Sequence, residues 1–419
     1  MTRQLWRTIT ANALWRGAQL VSVFLLNVAI ARVFKAEGSG DFLFLIANFQ
    51  LAASVASLSL ESGIQYYGAA DTTLLGGFSA FIFRYAGIAS AVLLGILTAV
   101  LVSHWLKPSI DPVLFVLYAI GFICGTLMFR SFSVLAVAVR AFTLPTVVEA
   151  GGNLVLLAVL GLQYLFSFRD GVHIFFLLFY GMPLACSLVI FAALRRRYAS
   201  LFVSSDKRRV HLPSLFRYSG LAFLSNLVFW GVYRMDFWWV AIYCPSSELG
   251  NYIQASKLAQ LFIYLPQVIA MVIFPDVVQD MSTGSRGTIR RLMGYTMILY
   301  TVGVGVVLLA GSRGLVWLLG PTFDQVYPAF LRLIPGVYAL GPLTILAAYF
   351  AGRNRVKVNL YGGLAALVVM LLGDLVFIPH YHIMGAALVS SASYTTYMVY
   401  EWAVFVSPEK ASRAAPTVS

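Results

Sequence analysis

Arg234 and Lys257 stand inside consecutive apolar stretches of this chain, and Arg16 and Arg130 stand within two others. Asp236, Glu61 and Asp374 are carboxylates in the same kind of surroundings. A charged side chain at the centre of a membrane helix costs about 2.5–3.5 kcal/mol even on lenient insertion scales. Such residues persist where they line a cavity, pair across helices or handle a substrate or ion. Arg and Lys can neutralise an anion that enters a low-dielectric passage. A buried carboxylate can take up a proton or sodium ion, which makes Asp236, Glu61 and Asp374 candidates for ion coupling. The sequence shows no nucleotide-binding loop, no catalytic Ser or Cys constellation and no outer domain on which to build a catalytic centre. It reads as a non-enzyme without cofactor or metal.

The elements that must hold these charges are membrane-crossing helices. The chain has 419 residues, 60% hydrophobic and 11% charged, with a mean hydropathy of +0.85. A soluble domain is nearer about a quarter charged. A hydrocarbon core of ~30 Å takes about 20 apolar residues per helix. Spans are expected at 11–33, 42–65, 85–105, 112–138, 145–167 and 172–194, then at 218–243, 250–275, 293–312, 327–352, 358–378 and 384–406. The expected class is all-α integral membrane, with about 12 transmembrane helices. An N-terminal six-helix half (1–194) leads through a basic cytoplasmic linker (195–217) to a C-terminal half (218–406) and a tail (407–419). Arg3, Arg7 and the apolar run after them look like a signal peptide. Arg16, Gln19 and Asn27 interrupt that run, which is long enough to span, so an uncleaved first helix is expected.

A net charge of +13 would suggest nucleic acid in a soluble protein. Here the basic residues fall mostly on one side of the spans: Arg195, Arg196, Arg197, Lys207, Arg208, Arg209, Arg286, Arg290, Arg291, Arg353, Arg355 and Lys357 among them. Lys35, Lys107, Arg169 and Arg313 are left for the other side. The positive-inside rule then places both termini in the cytoplasm and removes the nucleic-acid reading.

The halves look related. Gly40-Asp41-Phe42 opens the second span and Gly250-Asn251-Tyr252 opens the eighth. Arg7 and Arg217 precede the first and seventh spans alike, and Arg140 and Arg353 follow the fourth and tenth. The halves run the same way, as a parallel repeat with a pseudo-twofold axis along the membrane normal, an arrangement that usually places substrate between halves.

Polar residues recur on single helix faces. Gln50, Ser54, Ser57, Glu61 and Gln65 form a stripe at helical spacing along the second span. Gln254, Lys257, Gln260 and Tyr264 do so in the eighth, and Asn226, Trp230 and Arg234 in the seventh, with Asp236 nearby. At 1.5 Å of rise per residue, Arg234 and Lys257 both fall about 10–14 Å below the outer surface. Other charges have plainer explanations. Arg16, Arg32 and Arg332 sit near span ends, where long side chains snorkel. Glu149 suits the first turn of its helix. Arg130 can pair with Glu401 or Glu149 to hold helices together, and Asp236 can simply neutralise Arg234. His380 and His382 form an H-x-H in a short outer loop, but no acid or Cys is expected near to complete a metal site. Cys124, Cys186 and Cys244 make no disulfide framework. Pro266, Pro335 and Pro342 are expected to kink long spans.

Two stretches carry a family likeness. The first runs from Arg234-Met235-Asp236 through Gly250-Asn251-Tyr252 and Lys257 to Pro266 and Phe274-Pro275. The second is Tyr349 to Asn354 with Ile378-Pro379 and Gly385-Ala386-Ala387. With Ala31 to Tyr67, they resemble the polysaccharide (Wzx-type) flippases of the multidrug/oligosaccharidyl-lipid/polysaccharide exporter superfamily. Where those often have Pro at the start of the seventh helix, this chain has Tyr218-Ser219-Gly220, and where they often have Asn in the eleventh it has Asp374. The resemblance implies movement of an undecaprenyl-pyrophosphate-linked oligosaccharide, a repeat unit of O-antigen, capsule or exopolysaccharide, from the inner to the outer leaflet by alternating access. It implies residence in the bacterial cytoplasmic membrane, with membrane lipid, a polysaccharide polymerase and chain-length proteins as partners. On that reading Arg16 and Arg130 attract the pyrophosphate and Arg234 and Lys257 hold it.

Three other readings compete. A proton- or sodium-coupled multidrug antiporter of the same superfamily would prefer a lumen dominated by carboxylates, whereas the deepest charges here are basic. A major-facilitator transporter would carry Asp, Arg and Gly between its second and third spans, where Gly68–Arg84 offers only Asp71 and Arg84 as charges. A membrane polymerase needs a long outer loop, and the longest here, about Gly311–Val326, is too short for one.

Overall fold

The structure, a computed structural model, describes residues 3–71, 74–102, 111–166, 171–204, 212–267, 269–270, 277, 285–353 and 355–407. Linker residues 205–211, the tail from 408, and Phe274, Pro275 and Asn354 lie outside the described residues. The protein is an all-α membrane protein. Among the described residues the main helices are α1 (Arg3–Ser57), α2 (Leu60–Ala70), α3 (Leu75–Val102), α4 (Pro112–Ala138), α5 (Thr143–Phe166) and α6 (Gly171–Arg197). They continue with α7 (Ala199–Ser204), α8 (Leu212–Tyr243), α9 (Ser246–Leu261), α10 (Ser285–Leu319), α11 (Val326–Gly352) and α12 (Val356–Val406).

Eight of the described helices contain stretches long and apolar enough to cross a membrane, and two of these stretches, Leu14–Ser57 and Val356–Val406, are 44 and 51 residues long. At about 20 residues per crossing each holds two crossings. The reversals are single residues: Lys35 (φ 57°, ψ −173°) in α1 and His382 (φ 53°, ψ −140°) in α12. Gly311 (φ 60°, ψ −169°) bends α10 in the same way, so the expected loop after it begins as helix up to Leu319. Elsewhere the ends follow local chemistry. Asp111 caps α4 by accepting from the amides of Val113 (2.9 Å) and Leu114 (3.2 Å), with Pro112 at the first helical position.

Proline marks two departures from regular helix. Pro266 has no N–H for the Phe262 carbonyl, and the helix breaks at Phe262–Ile263. The Tyr300 hydroxyl donates to that carbonyl at 2.6 Å. Beside Pro335, the Gly336 amide donates to Ser391 Oγ (3.2 Å), and the Ser391 hydroxyl donates to the Arg332 carbonyl (2.6 Å). A side chain from α12 is thus inserted into the hydrogen-bond ladder of α11.

The chain divides into two compact units. The first is Met1–Lys35 with Phe42–Leu227, and the second is Ala36–Asp41 with Val228–Ser419. The first is centred on Phe78, Phe132, Leu135, Ile190, Leu194 and Leu215. There α4 and α6 approach closely at Gly125, where an added Cβ would lie 3.0 Å from Leu184 Cα. The second is centred on Val232, Leu340, Ala366 and Met370, and on Ile345, Leu346 and Phe350. The turn Ala36–Asp41 belongs to it. A Cβ on Gly40 would collide with the Ser246 carbonyl and lie 2.8 Å from the Gly250 nitrogen. One on Gly250 would collide with the Ala36 carbonyl. The Ala36 amide donates to Thr322 Oγ1 (3.1 Å). Asn251 closes the arrangement, donating to the Thr322 carbonyl (3.1 Å) and accepting from the Gln325 amide (3.1 Å).

Candidate functional site

Four of the charged residues singled out from sequence come together in the second unit, on α8, α9 and α12. Asp236, 1% exposed, is held in α8 by three donors: the Tyr252 hydroxyl from α9, the Ser390 hydroxyl (3.0 Å) from α12 and the Phe237 amide (2.9 Å). The Tyr252 and Ser390 oxygens lie 2.9 Å apart. Asp374, from the first crossing of α12, is fully buried, and neither of its carboxylate oxygens has a hydrogen-bond partner among the described residues. It lies within electrostatic reach of Asp236. Tyr394 feels the charges of Asp236, Arg234 and Asp374 together.

The cations flank this carboxylate pair. Arg234 is half-buried, donates to Gln260 Oε1 at 3.0 Å and lies 5.0 Å from the centre of the Phe237 ring. Lys257 is half-buried one turn before Gln260 on the same face of α9, and within electrostatic reach of Arg234. Gln254, one turn earlier, is 4% exposed with its amide nitrogen unpartnered among the described residues. Two cations, two carboxylates and several hydroxyl and amide groups therefore share one membrane-buried region. Taking a charged carboxylate out of water without donors is costly, so burial disfavours the charged form of Asp374. Sequence reasoning did not assign roles to Tyr252, Ser390 and Tyr394. The Gly250-Asn251-Tyr252 repeat was the available signal for the first of these.

The other expected residues lie in the first unit. Arg16 is exposed on α1. Arg130 donates to Ser54 Oγ at 3.1 Å, and Glu149 accepts from Gln19. Arg130 and Glu149, which could have paired with each other, thus each meet a neutral partner. Glu401, in the second unit, is buried with neither carboxylate oxygen bonded among the described residues. Glu61 is half-buried with Oε2 unbonded among the described residues, and it acts electrostatically on Tyr85. The polar stripe of the second span is interrupted, because Leu58 (φ 47°) and Ser59 (φ 53°) separate α1 from α2. Serine hydroxyls bond at the break. Ser57 Oγ accepts from the Ser59 amide (3.2 Å), and Ser59 Oγ accepts from Asn226 (3.0 Å).

The reading of the H-x-H is corrected. Cys244 and Glu248 lie beside His382, brought there by the α8–α9 turn. Their sequence separation from His382 hid them.

No protein-family model and no curated protein matches the chain. Solved structures do. An inward-facing multidrug resistance MATE family transporter of the MOP superfamily aligns with a TM-score of 0.67 at 13% identity, over 92% of this chain and 93% of that one. The fold is that of the MOP-superfamily transporters. The lipid II flippase MurJ, in an inward closed conformation, aligns with a TM-score of 0.63 at 14% identity, over 95% of this chain and 87% of its own. A MOP transporter from Pyrococcus furiosus, described by its reversed binding-pocket polarity, aligns with a TM-score of 0.59 at 14% identity, over 95% and 94%. At such identities the likeness is one of fold.

Proposed function

We propose that this chain is a flippase for a lipid-linked oligosaccharide of the undecaprenyl-pyrophosphate class. The observation that carries this reading is the pairing of Arg234 with Lys257 inside a membrane-buried polar region of the second unit. Two cations held together in low dielectric repel each other, and a multiply charged anion relieves that repulsion. Arg234 presents a planar fork suited to phosphate oxygens, and Lys257 adds a mobile point charge. Arg16 and Arg130 would meet the pyrophosphate on its way in. Asp236 and Asp374 would carry a coupling proton or sodium ion, with Glu61 as a further candidate. The fold likeness to a lipid II flippase is in keeping with a lipid-linked substrate. The distribution of basic residues supports cytoplasmic termini in the inner membrane, with six-helix halves at 1–194 and 218–406. A polysaccharide polymerase and chain-length proteins would be its pathway partners.

A specific observation favours a second reading. The Asp236–Asp374 pair, with the fold likeness to MATE transporters, suits an ion-coupled antiporter of cationic compounds.

The test is a flipping assay in proteoliposomes holding an undecaprenyl-pyrophosphate-linked glycan, with a cationic dye run in parallel. Protein-dependent glycan flipping that is lost in Arg234→Ala and Lys257→Ala, at normal membrane insertion, is the expected result. Gradient-driven dye movement without glycan flipping would replace it with the antiporter reading.

A further inference from the structure

Cys244, Glu248 and His382 each offer one ligand atom, and these atoms lie within 4.8 Å of one another. They come from three places in the second unit. Cys244 follows the last residue of α8, with its amide bonded to the Val240 carbonyl at 2.8 Å. Glu248 lies in the first turn of α9. His382 is the bend of α12, and its Nδ1 lies 3.2 and 3.3 Å from the two Glu248 carboxylate oxygens. The cluster is accessible: the His382 side chain is 49% exposed and the Glu248 side chain 18%.

We propose that these three residues form a zinc site. Tetrahedral zinc with bonds of about 2.0–2.3 Å holds its ligand atoms about 3.3–3.8 Å apart. The His382–Glu248 spacing already matches one edge of that tetrahedron, and the thiol needs to move by no more than about 1 Å to complete a face. A thiolate, an imidazole and a carboxylate are a borderline-soft set that selects zinc over calcium or magnesium. Three protein ligands leave a fourth position for water or an exogenous donor. Binding releases the thiol proton to solvent and ties the α8–α9 turn to the α12 bend. The site is independent of the flippase reading, since its ligands lie outside the Arg234–Asp374 cluster.

The experiment uses the full-length chain in detergent, stripped with chelator and titrated with zinc alone. One zinc per chain is expected, with a rise in thermal midpoint that saturates at the same ratio. Cys244→Ser and His382→Ala should each weaken binding at least tenfold and abolish the thermal shift. Cobalt(II) in the unsubstituted protein should give a thiolate charge-transfer band, which Cys244 alone can supply because Cys124 and Cys186 are buried. That band keeps the test decisive if a variant misfolds. No cobalt–thiolate band, substoichiometric zinc, or equal affinity in well-folded variants would overturn the proposal and leave an ordinary His–Glu pair.

Discussion

Gly40 and Gly250 pack backbone to backbone. A Cβ on Gly250 would collide with the Ala36 carbonyl and lie 3.1 Å from the Gly40 nitrogen. These are corresponding residues of the two repeated tripeptides, Gly40-Asp41-Phe42 and Gly250-Asn251-Tyr252. The repeat thus ends in a close contact between its own copies. A side chain on either glycine must displace main chain, which cannot move like the tip of a flexible side chain. Gly40→Val and Gly250→Val should each destabilise the protein by roughly 1–3 kcal/mol or more. Thermal denaturation of detergent-solubilised protein would measure it. Gly287→Val is the control, since its Cβ would meet nothing within 4 Å. Equal midpoints for all three would refute the contact.

Ser391 completes the ladder of α11 at its proline. Its hydroxyl accepts from Gly336 and donates to the Arg332 carbonyl. Ser391→Ala removes one bond from the buried Gly336 amide and one from the partly buried Arg332 carbonyl, at a cost of about 1–3 kcal/mol. Thr395→Ala, one turn on, removes only a bond to its own helix at the Ser391 carbonyl and should change stability by about 0.5 kcal/mol or less. Hydrogen exchange at the Gly336 amide should speed up in the first variant alone.

Tyr300 performs the matching service at Pro266, donating to the Phe262 carbonyl. Tyr300→Phe keeps the ring packed edge-on against Phe262 (5.4 Å between centroids) and removes only the donor. The expected loss is about 1 kcal/mol, read as a lower thermal midpoint. An unchanged midpoint would mean that another group satisfies that carbonyl.

The helices were legible because hydropathy adds up over some twenty residues, and no single side chain can hide a span. Arg234, Lys257, Asp236 and Asp374 were legible for the opposite reason: one charge in an apolar run stands out. What they meet was not legible. Tyr252 and Ser390 are ordinary residues in their own helices, and they become partners of Asp236 only when α9 and α12 pack against α8. Arg130 reached Ser54 in place of a carboxylate, which no spacing encodes. The break at Leu58–Ser59 escaped notice because Ser57 and Ser59 fit a helical stripe as well as they fit a turn. The Cys244, Glu248 and His382 cluster was invisible because it joins residues more than a hundred positions apart.

Asp374 allows a prediction in which stability and function move in opposite directions. Its carboxylate is fully buried without a hydrogen-bond partner among the described residues, beside Asp236. Two carboxylates in one low-dielectric site repel each other unless a proton or metal ion lies between them. Asp374→Asn removes one charge at nearly constant shape, so the folded protein should be as stable or more stable, by up to about 2 kcal/mol. Asp236→Asn should not behave alike, because three donors already hold that carboxylate in place. It loses charge-assisted bonds worth about 1.5–3 kcal/mol each, and its midpoint should fall. Transport in proteoliposomes should lose its dependence on a sodium or proton gradient in Asp374→Asn, while the protein still inserts and stays folded. A variant that is destabilised yet keeps full gradient dependence would make Asp374 a structural residue and leave the coupling ion to be sought at Glu61 or Glu401.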